Sequence, residues 1–226
     1  CFFAHMNFYS EHAKMPTCTG LSINDLITAC DVYDNAIWLA NIGCDSNDGL
    51  PGHFKNYSHV FSFADTSERG IPHEVSDYQF GHLSYDLKNE LEDMTSENPD
   101  HYTFDSARFF VPDILAMVDE QGEVTFGSED QAHDIRERIS GKKYSPQVSD
   151  RVTLVSALSK NQYLTKIESI KKHIQQGDVY ELNFCIDHYA ENVIIDPIST
   201  FQHMIDDNPA AFSAYYKIGS SHVLCN

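Results

Sequence analysis

The chain has 226 residues, of which 42% are hydrophobic, with 34 acidic and 15 basic side chains and a formal net charge of −19. This length and apolar content fit a globular protein of one large domain or two small ones. The acidic surface argues against nucleic acid or an anionic membrane as a partner. Six cysteines and twelve histidines are dispersed without the spacing of a disulfide framework or a zinc site, so we predict no metal ligands here.

The sequence does not suggest targeting to a membrane or to the secretory route. No apolar run approaches the length needed to cross a bilayer, and no N-terminal signal peptide is visible, so we predict a cytoplasmic protein. The chain begins at Cys1 rather than methionine and ends at Asn226 inside a predicted strand. We therefore expect it to be a piece of a longer protein.

The first half of the chain predicts strands joined by hairpins, with two amphipathic helices. Residues 1–20 predict an opening strand or short helix, 41–56 are turn-rich, and 88–100 predict a surface helix or loop. Helical spacing of apolar residues predicts helices over 22–33, capped by Ser22 or Asn24, and over 128–139. Apolar runs and alternation predict strands over 36–40, 59–64, 79–87, 109–118 with an interruption at Pro112, and 123–127.

A stretch of glycine, proline, serine and charge without periodicity, SGKKYSPQVSD, covers residues 140–150. Such a composition is typical of a linker on the protein surface. We therefore divide the chain into an N-terminal subdomain over 1–140, a linker over 141–150, and a second, truncated domain over 151–226.

The second half centres on residues 159–189. Ser159 is placed to cap a helix, and Gly177 fits the position just after its end, where positive φ is required. The apolar face of this helix consists of Tyr163, Ile167, Ile170 and Ile174. Strict alternation from Tyr180 to Asp187 then predicts a strand.

A further helix is predicted after Pro197, with Asp196 as its cap. Its buried face is formed by Ile198, Phe201, Met204 and Ile205. Residues 212–218 alternate, and Gly219-Ser220 turns them into a hairpin with 222–225.

Three segments resemble motifs of the chorismate-utilising enzymes. GDVYELN at 177–183 resembles the family's GD-[IV]-Y-Q-x-N signature, NPAAFSAY at 208–215 resembles its NPSPY segment, and FGHLSYDL at 80–87 resembles FGYLSYDL. The family includes the component I subunits of anthranilate synthase and aminodeoxychorismate (para-aminobenzoate) synthase. The resemblance implies an α+β fold, an antiparallel β-sandwich with outer helices like the N-terminal half of anthranilate synthase component I.

The resemblance also implies a regulatory pocket for an aromatic amino acid. In the family this pocket is lined by an LLES segment and by NPSPY. The matching positions here are Leu39 and Asn41, and Asn208, Pro209 and Phe212. Ala40 and Asn41 replace the acid and the serine of LLES, so we expect weak tryptophan binding or none.

Structural roles are expected for Trp38 and for the signature residues. Because the acid and serine are missing, we expect Trp38 to be a buried core residue of its strand. The signature residues Gly177, Asp178, Tyr180 and Asn183 are expected to have a structural role.

The resemblance places the chemistry elsewhere. In the family the chorismate pocket, the Mg²⁺ carboxylates and the acid–base residues lie in the C-terminal half, so we expect no catalytic residue and no metal ligand before Asn226. The missing LLES polar residues and the modest N-terminal region favour component I of aminodeoxychorismate synthase. That enzyme aminates chorismate at C4 for folate biosynthesis, with ammonia from a separate glutamine amidotransferase subunit.

Two alternatives stay open. One is anthranilate synthase component I, of tryptophan biosynthesis. The other is that this fragment alone is a non-catalytic scaffold or a module that binds an aromatic amino acid.

Overall fold

A computed structural model describes residues 2–5, 20–40, 57–72, 78–95, 100, 102–210 and 212–226. The predicted turns of 41–56 and most of 1–20 lie outside these ranges. Contacts divide the chain into two compact units: unit 1 comprises 1–146 with 197–226, and unit 2 comprises 147–196. This packing division groups 197–226 with the N-terminal residues, whereas the boundaries inferred from the sequence stay a prediction. Within the described ranges, no helix is both long and apolar enough to cross a bilayer.

The elements are as follows. The strands are β1 Phe2–His5, β2 Asn35–Ala40, β3 Tyr57–Ala64, β4 Glu68–Arg69, β5 Gln79–Leu83, β6 Ala107–Phe110, β7 Ile114–Asp119, β8 Val124–Phe126, β9 Val155–Ser156, β10 His188–Tyr189, β11 Ser213–Ile218 and β12 Ser221–Cys225. The helices are α1 Ile23–Val32, α2 Lys88–Leu91, α3 Glu129–Ile139, α4 Lys160–Gln176 and α5 Pro197–Asp207.

Unit 1 contains two antiparallel sheets. One has six strands in the order β12-β11-β2-β3-β7-β8, and the other has four in the order β1-β5-β6-β4. Side chains from both sheets pack together in one apolar cluster, so the sheets form a sandwich. We call this cluster the inter-sheet core: Ile37, Val60, Ala64, Phe80, Phe110, Leu115, Met117, Tyr216 and Ile218.

The other face of the six-stranded sheet is covered by helices α1, α3 and α5. Strand alternation sends Trp38 and Ala40 to this helix side and Ile37 to the inter-sheet core. We call the cluster under the helices the helix-side core. Its largest fully buried side chains are Trp38, Phe61, Phe63, Phe126, Phe201 and Tyr215. The predicted α+β sandwich with outer helices is confirmed.

Most of the predicted elements of unit 1 are confirmed, including the hairpin of β11 and β12. The sequence prediction was right about Ser22, which forms a capping box with Asp25 at the start of α1. The prediction of a strand over 79–87 is wrong beyond Leu83, because the ladder with β6 ends at the Leu83–Ala107 pair and a 3-10 turn over Tyr85–Leu87 follows. Pro112 separates β6 from β7, which belong to different sheets.

Gly81 lies in the middle of the four-stranded sheet, paired with Phe3 on one side and Phe109 on the other. A Cβ atom added there would lie 2.1 Å from the carbonyl oxygen of Arg108. Only glycine therefore leaves room for that carbonyl at this position.

Unit 2 contains the predicted helix but not the predicted strand. Ser159 and Gln162 form a capping box at the start of α4, and Gly177 ends the helix with φ of +82°. The strand prediction for residues 180–187 is wrong. The strand that forms is β10, which begins just after this segment and pairs with β9. Alternation makes a strand possible, but a strand also needs a ladder of backbone hydrogen bonds. Within 180–187 a backbone hydrogen bond forms at the last residue, where the carbonyl of Asp187 accepts from the amide of Ala157 at 2.9 Å, next to the β9–β10 pair.

Candidate functional site

The candidate regulatory segment links the end of α5 to the start of β11. The amide of Asn208 donates to the carbonyl of Met204 at 3.1 Å, which completes the last turn of the helix. Asn208 and Pro209 are exposed. Phe212 is 63% exposed and has φ of +66°, a left-handed conformation that a bulky side chain rarely adopts. The segment is therefore a surface loop with a strained aromatic residue at its end.

Strand β2 lies directly beside this loop. Ala40 pairs with Ser213, and Leu39 pairs with Ala214. Leu39 packs against the inter-sheet core, away from the helices, and Asn41 lies outside the described residues. The structure thus brings the two predicted segments together through backbone pairing. Of the predicted pocket residues, Leu39 points into the sandwich, while Asn208, Pro209 and Phe212 are exposed.

Asn226 forms hydrogen bonds to both ends of this loop, a role that the sequence did not predict. Its side-chain amide donates to the carbonyls of Met204 at 3.2 Å and Asn208 at 2.6 Å. Its side-chain oxygen lies 2.6 Å from the hydroxyl of Ser213, which is 1% exposed. One asparagine therefore ties the end of α5 to the start of β11. No sequence pattern marks such a contact, since it depends on where β12 ends in space.

In the helix-side core, the buried Trp38 is hydrogen-bonded to the half-buried His59. Trp38 is 1% exposed, as expected of a core residue, and its Nε1 donates to Nδ1 of His59 at 3.1 Å. The indole also stacks on Phe61 at 5.2 Å and meets the edge of Phe201 at 4.9 Å. Desolvation by burial lowers the pKa of His59 from 6.5 to about 4. The imidazole is therefore neutral near pH 7, with Nδ1 as the acceptor.

The basic side chains of unit 1 are largely engaged within the protein. Lys217 donates to the carbonyls of Cys30 at 3.2 Å and Asp31 at 2.8 Å at the end of α1, and burial lowers its pKa. Four more basic residues form ion pairs with aspartates: Arg69 and Arg108 with Asp105, Lys88 with Asp86, and Arg138 with Asp65. The four ion-paired groups already face a carboxylate, and Lys217 is already bonded to two carbonyls, so these five side chains are poorly placed to bind a dicarboxylate.

The signature residues of unit 2 complete and follow the end of α4. After Gly177, the amide of Asp178 donates to the carbonyl of His173 at 3.0 Å, and its carboxylate lies 2.7 Å from Nδ1 of the same histidine. Tyr180 is 97% exposed, and Asn183 is exposed as well. The structure therefore gives the first two residues a local role in ending the helix. It places the other two in water.

The described residues form no cluster of metal-ligating side chains. No group of three or more histidine, cysteine, aspartate or glutamate side chains comes together in the described ranges. Magnesium in proteins is held by carboxylates together with waters and substrate oxygens, so one carboxylate alone does not define a site. No residue of the described chain is assigned to Mg²⁺.

Comparison with known proteins gives a family and two relatives. The model of the chorismate binding enzyme family matches residues 36–226. Aminodeoxychorismate synthase component 1 of Bacillus subtilis is 22% identical over 185 residues, which cover 73% of this chain and 39% of the relative. Anthranilate synthase component I-like protein of Synechocystis sp. is 23% identical over 150 residues, which cover 61% of this chain and 30% of the relative. The chain thus spans less than two fifths of each relative.

Proposed function

The chain belongs to the chorismate binding enzyme family, and on that premise we propose that it is part of component I of an aminodeoxychorismate synthase. In the proposed reaction, ammonia replaces the 4-hydroxyl group of chorismate and water leaves. A glutamine amidotransferase subunit releases the ammonia from glutamine, and the product enters folate biosynthesis in the cytoplasm. The observation that carries the choice is the Bacillus subtilis relative, whose name is that of this enzyme.

The electrostatics of the described residues support a division of labour along the polypeptide. Chorismate carries two carboxylates, so its pocket needs cationic and amide donors. Four basic side chains of unit 1 form ion pairs with aspartates, and Lys217 donates to two carbonyls. The whole chain has a net charge of −19. We therefore propose that the substrate pocket is formed by the part of the full-length protein that corresponds to the segments of the relatives outside the match.

Magnesium belongs to the same proposal. The ion would neutralise a substrate carboxylate in the pocket. Its ligands would come from the same unspanned part, because the described residues bring no group of three candidate ligands together. What these 226 residues contribute is a sandwich scaffold and the family signature segment.

The test uses the full-length protein with chorismate, Mg²⁺ and ammonium chloride, followed by chromatography of the products. The expected product is 4-amino-4-deoxychorismate, formed without release of pyruvate. Residues 1–226 alone serve as the matched control and should give no product. Unreacted chorismate with the full-length protein would overturn the proposal, and turnover by 1–226 alone would overturn the division of labour.

Anthranilate synthase component I is the second candidate, favoured by the name of the Synechocystis relative. The same assay separates the two reactions, since anthranilate is fluorescent and its formation releases pyruvate. Fluorescent product with one pyruvate per turnover would replace the first proposal with this one.

A third candidate, of another class, is that this fragment alone is a scaffold or a module that binds an aromatic amino acid. The position of the LLES acid carries Ala40, which is 0% exposed, and the position of the LLES serine carries Asn41, which lies outside the described residues. Calorimetry of residues 1–226 with tryptophan should therefore detect weak binding or none. Tight binding of tryptophan would favour the module.

A further inference from the structure

A groove of about 560 Å³ opens on unit 1 beside strand β4, and we call it the aliphatic groove. The continuous segment 66–72, which contains β4, lines it. Leu87 and Phe109 line it as well, and both are buried in a small apolar cluster that is separate from the inter-sheet core. The volume is that of a site for a ligand or for a few side chains of another polypeptide.

Three exposed aliphatic side chains meet at this groove. Ile71 is 49% exposed, Leu91 67% and Val111 52%, and they come from three separate segments: after β4, in α2 and after β6. Within the described part of unit 1, no other isoleucine, leucine or valine is exposed. Exposed apolar residues of a monomer are usually scattered singly, whereas a contiguous set marks an interaction site. The gathering of all three in one groove therefore indicates a surface that another molecule covers.

The groove also carries carboxylates that no basic side chain neutralises. Glu68, Glu90 and Asp113 line it, and none of them forms an ion pair with another described residue. Glu90 accepts from the hydroxyl of Ser106, and Asp113 accepts from the amide of Asp65 at 3.1 Å. Both donors are neutral, so the negative charges stay in place.

Arg69 is the basic side chain that lines the groove, and it is already paired. Its Nε lies 3.1 Å from a carboxylate oxygen of Asp105. The three carboxylates thus set the sign of the groove, and the complementary ligand is a cation. A second copy of this chain, with its own net charge of −19, would be repelled, as would nucleic acid or an anionic membrane.

We propose that the aliphatic groove docks a segment of a partner polypeptide in which apolar side chains alternate with lysine or arginine. The apolar side chains cover Ile71, Leu91 and Val111, and the cations face the carboxylates. Strand β4 lies at an edge of the four-stranded sheet, where it pairs with β6 and with no other described strand. An extended segment can therefore also pair with its free backbone edge. The inference stands independently of the proposed function.

The test titrates the full-length protein with the acetylated and amidated peptide Leu-Arg-Leu-Lys and measures binding by saturation transfer NMR. Two matched peptides separate the two kinds of contact: Ser-Arg-Ser-Lys lacks the apolar side chains, and Leu-Glu-Leu-Glu reverses the charge. We expect a dissociation constant of about 0.1–1 mM for the first peptide. Each matched peptide should bind at least about fivefold more weakly. Equal affinity for either matched peptide, or no transfer to the first peptide, would overturn the proposal.

Variants of the groove locate the binding. Leu91→Ser and Val111→Ser should each weaken it by about three- to tenfold, because each removes aliphatic contact area. Glu68→Gln should weaken it by about twofold, because an exposed ion pair contributes little. All three side chains are exposed, so these variants are expected to fold. The matched controls Leu164→Ser in α4 and Glu120→Gln after β7 remove exposed side chains that do not line the groove, and they should leave the affinity unchanged.

Two outcomes with these variants would contradict the proposal. One is unchanged affinity in Leu91→Ser or in Val111→Ser. The other concerns a second copy as the occupant, which sedimentation velocity tests without peptide. Sedimentation should be the same for the wild type and Leu91→Ser. A wild-type dimer that dissociates in Leu91→Ser would assign the groove to a second copy and overturn the proposal.

Discussion

Helices α4 and α5 have the same kind of sequence pattern and opposite fates in the structure. The apolar face of α5 buries Ile198, Phe201 and Ile205 against the six-stranded sheet. Helix α4, six residues longer, buries none of its residues, and Ile174 on its apolar face is 39% exposed. Unit 1 therefore satisfies its amphipathic helices internally, whereas the described part of unit 2 does not.

The difference shows what helical periodicity can and cannot tell. Spacing of three and four residues specifies a helix with an apolar face, and the capping residues specify its ends. The pattern says nothing about which surface covers that face. In unit 1 the cover is a sheet assembled from strands that are distant in sequence, and the same chain gives α4 no such cover in the described residues.

The largest expected effect comes from removing a buried side chain of unit 1, and the comparison is with a half-buried side chain of unit 2. Trp38→Ala should lower the free energy of unfolding of unit 1 by about 3–5 kcal/mol, because the indole is fully buried against Phe61 and Phe201. Ile170→Ala in α4 should change the free energy of unfolding by less than about 0.5 kcal/mol, because the side chain of Ile170 is only half-buried. Urea denaturation followed by far-UV circular dichroism measures both.

The contrast between α4 and α5 would not hold if Ile170 proved to be buried in the full-length protein. A loss above about 2 kcal/mol for Ile170→Ala in the full-length protein would mean that α4 is covered there as α5 is covered in unit 1. The same variant in residues 1–226 alone is the control. A large effect in the full-length protein and none in the fragment would locate the cover in the unspanned part of the polypeptide.

The second effect depends on pH and comes from His59 of unit 1. Burial lowers the pKa of His59 from 6.5 to about 4, so between these values the unfolded chain binds more protons than the folded one. The free energy of unfolding of unit 1 should therefore fall as the pH drops from about 6.5 to 4, by up to about 3 kcal/mol.

Trp38 is the only tryptophan of the chain, so its fluorescence reports on unit 1 alone. Urea midpoints read from this signal at pH 7 and pH 5 give the pH dependence. His59→Gln cannot protonate, and its smaller slope would isolate the contribution of His59 from that of the carboxylates. An equal slope in the variant and the wild type would show that His59 does not carry the effect.

How much the sequence could predict follows from which interactions are local. The capped helix at Ser159, the Gly177 stop and the hairpin of β11 and β12 were predicted correctly, because neighbouring residues determine them. The strand over 180–187 was wrong, because a strand exists only with a pairing partner.

The candidate site was less predictable for the same reason. The neighbouring positions of Leu39 and Ala214 depend on a strand pairing across more than half of the chain. The Trp38–His59 bond and the Asn226 contacts likewise join residues far apart in sequence. No local spacing encodes any of these contacts.

The smallest expected effect concerns single hydroxyl groups. Ser62 is fully buried on the inter-sheet side of β3, and its hydroxyl has no hydrogen-bond partner in the described structure. Ser62→Ala should therefore raise the free energy of unfolding by about 1 kcal/mol. Ser213→Ala should lower it by a similar amount, because that buried hydroxyl is hydrogen-bonded. In α4, Thr165→Ala should change it by less than about 0.5 kcal/mol, because the threonine is exposed. Destabilisation by Ser62→Ala, measured by urea denaturation, would mean that a partner such as a buried water satisfies the hydroxyl.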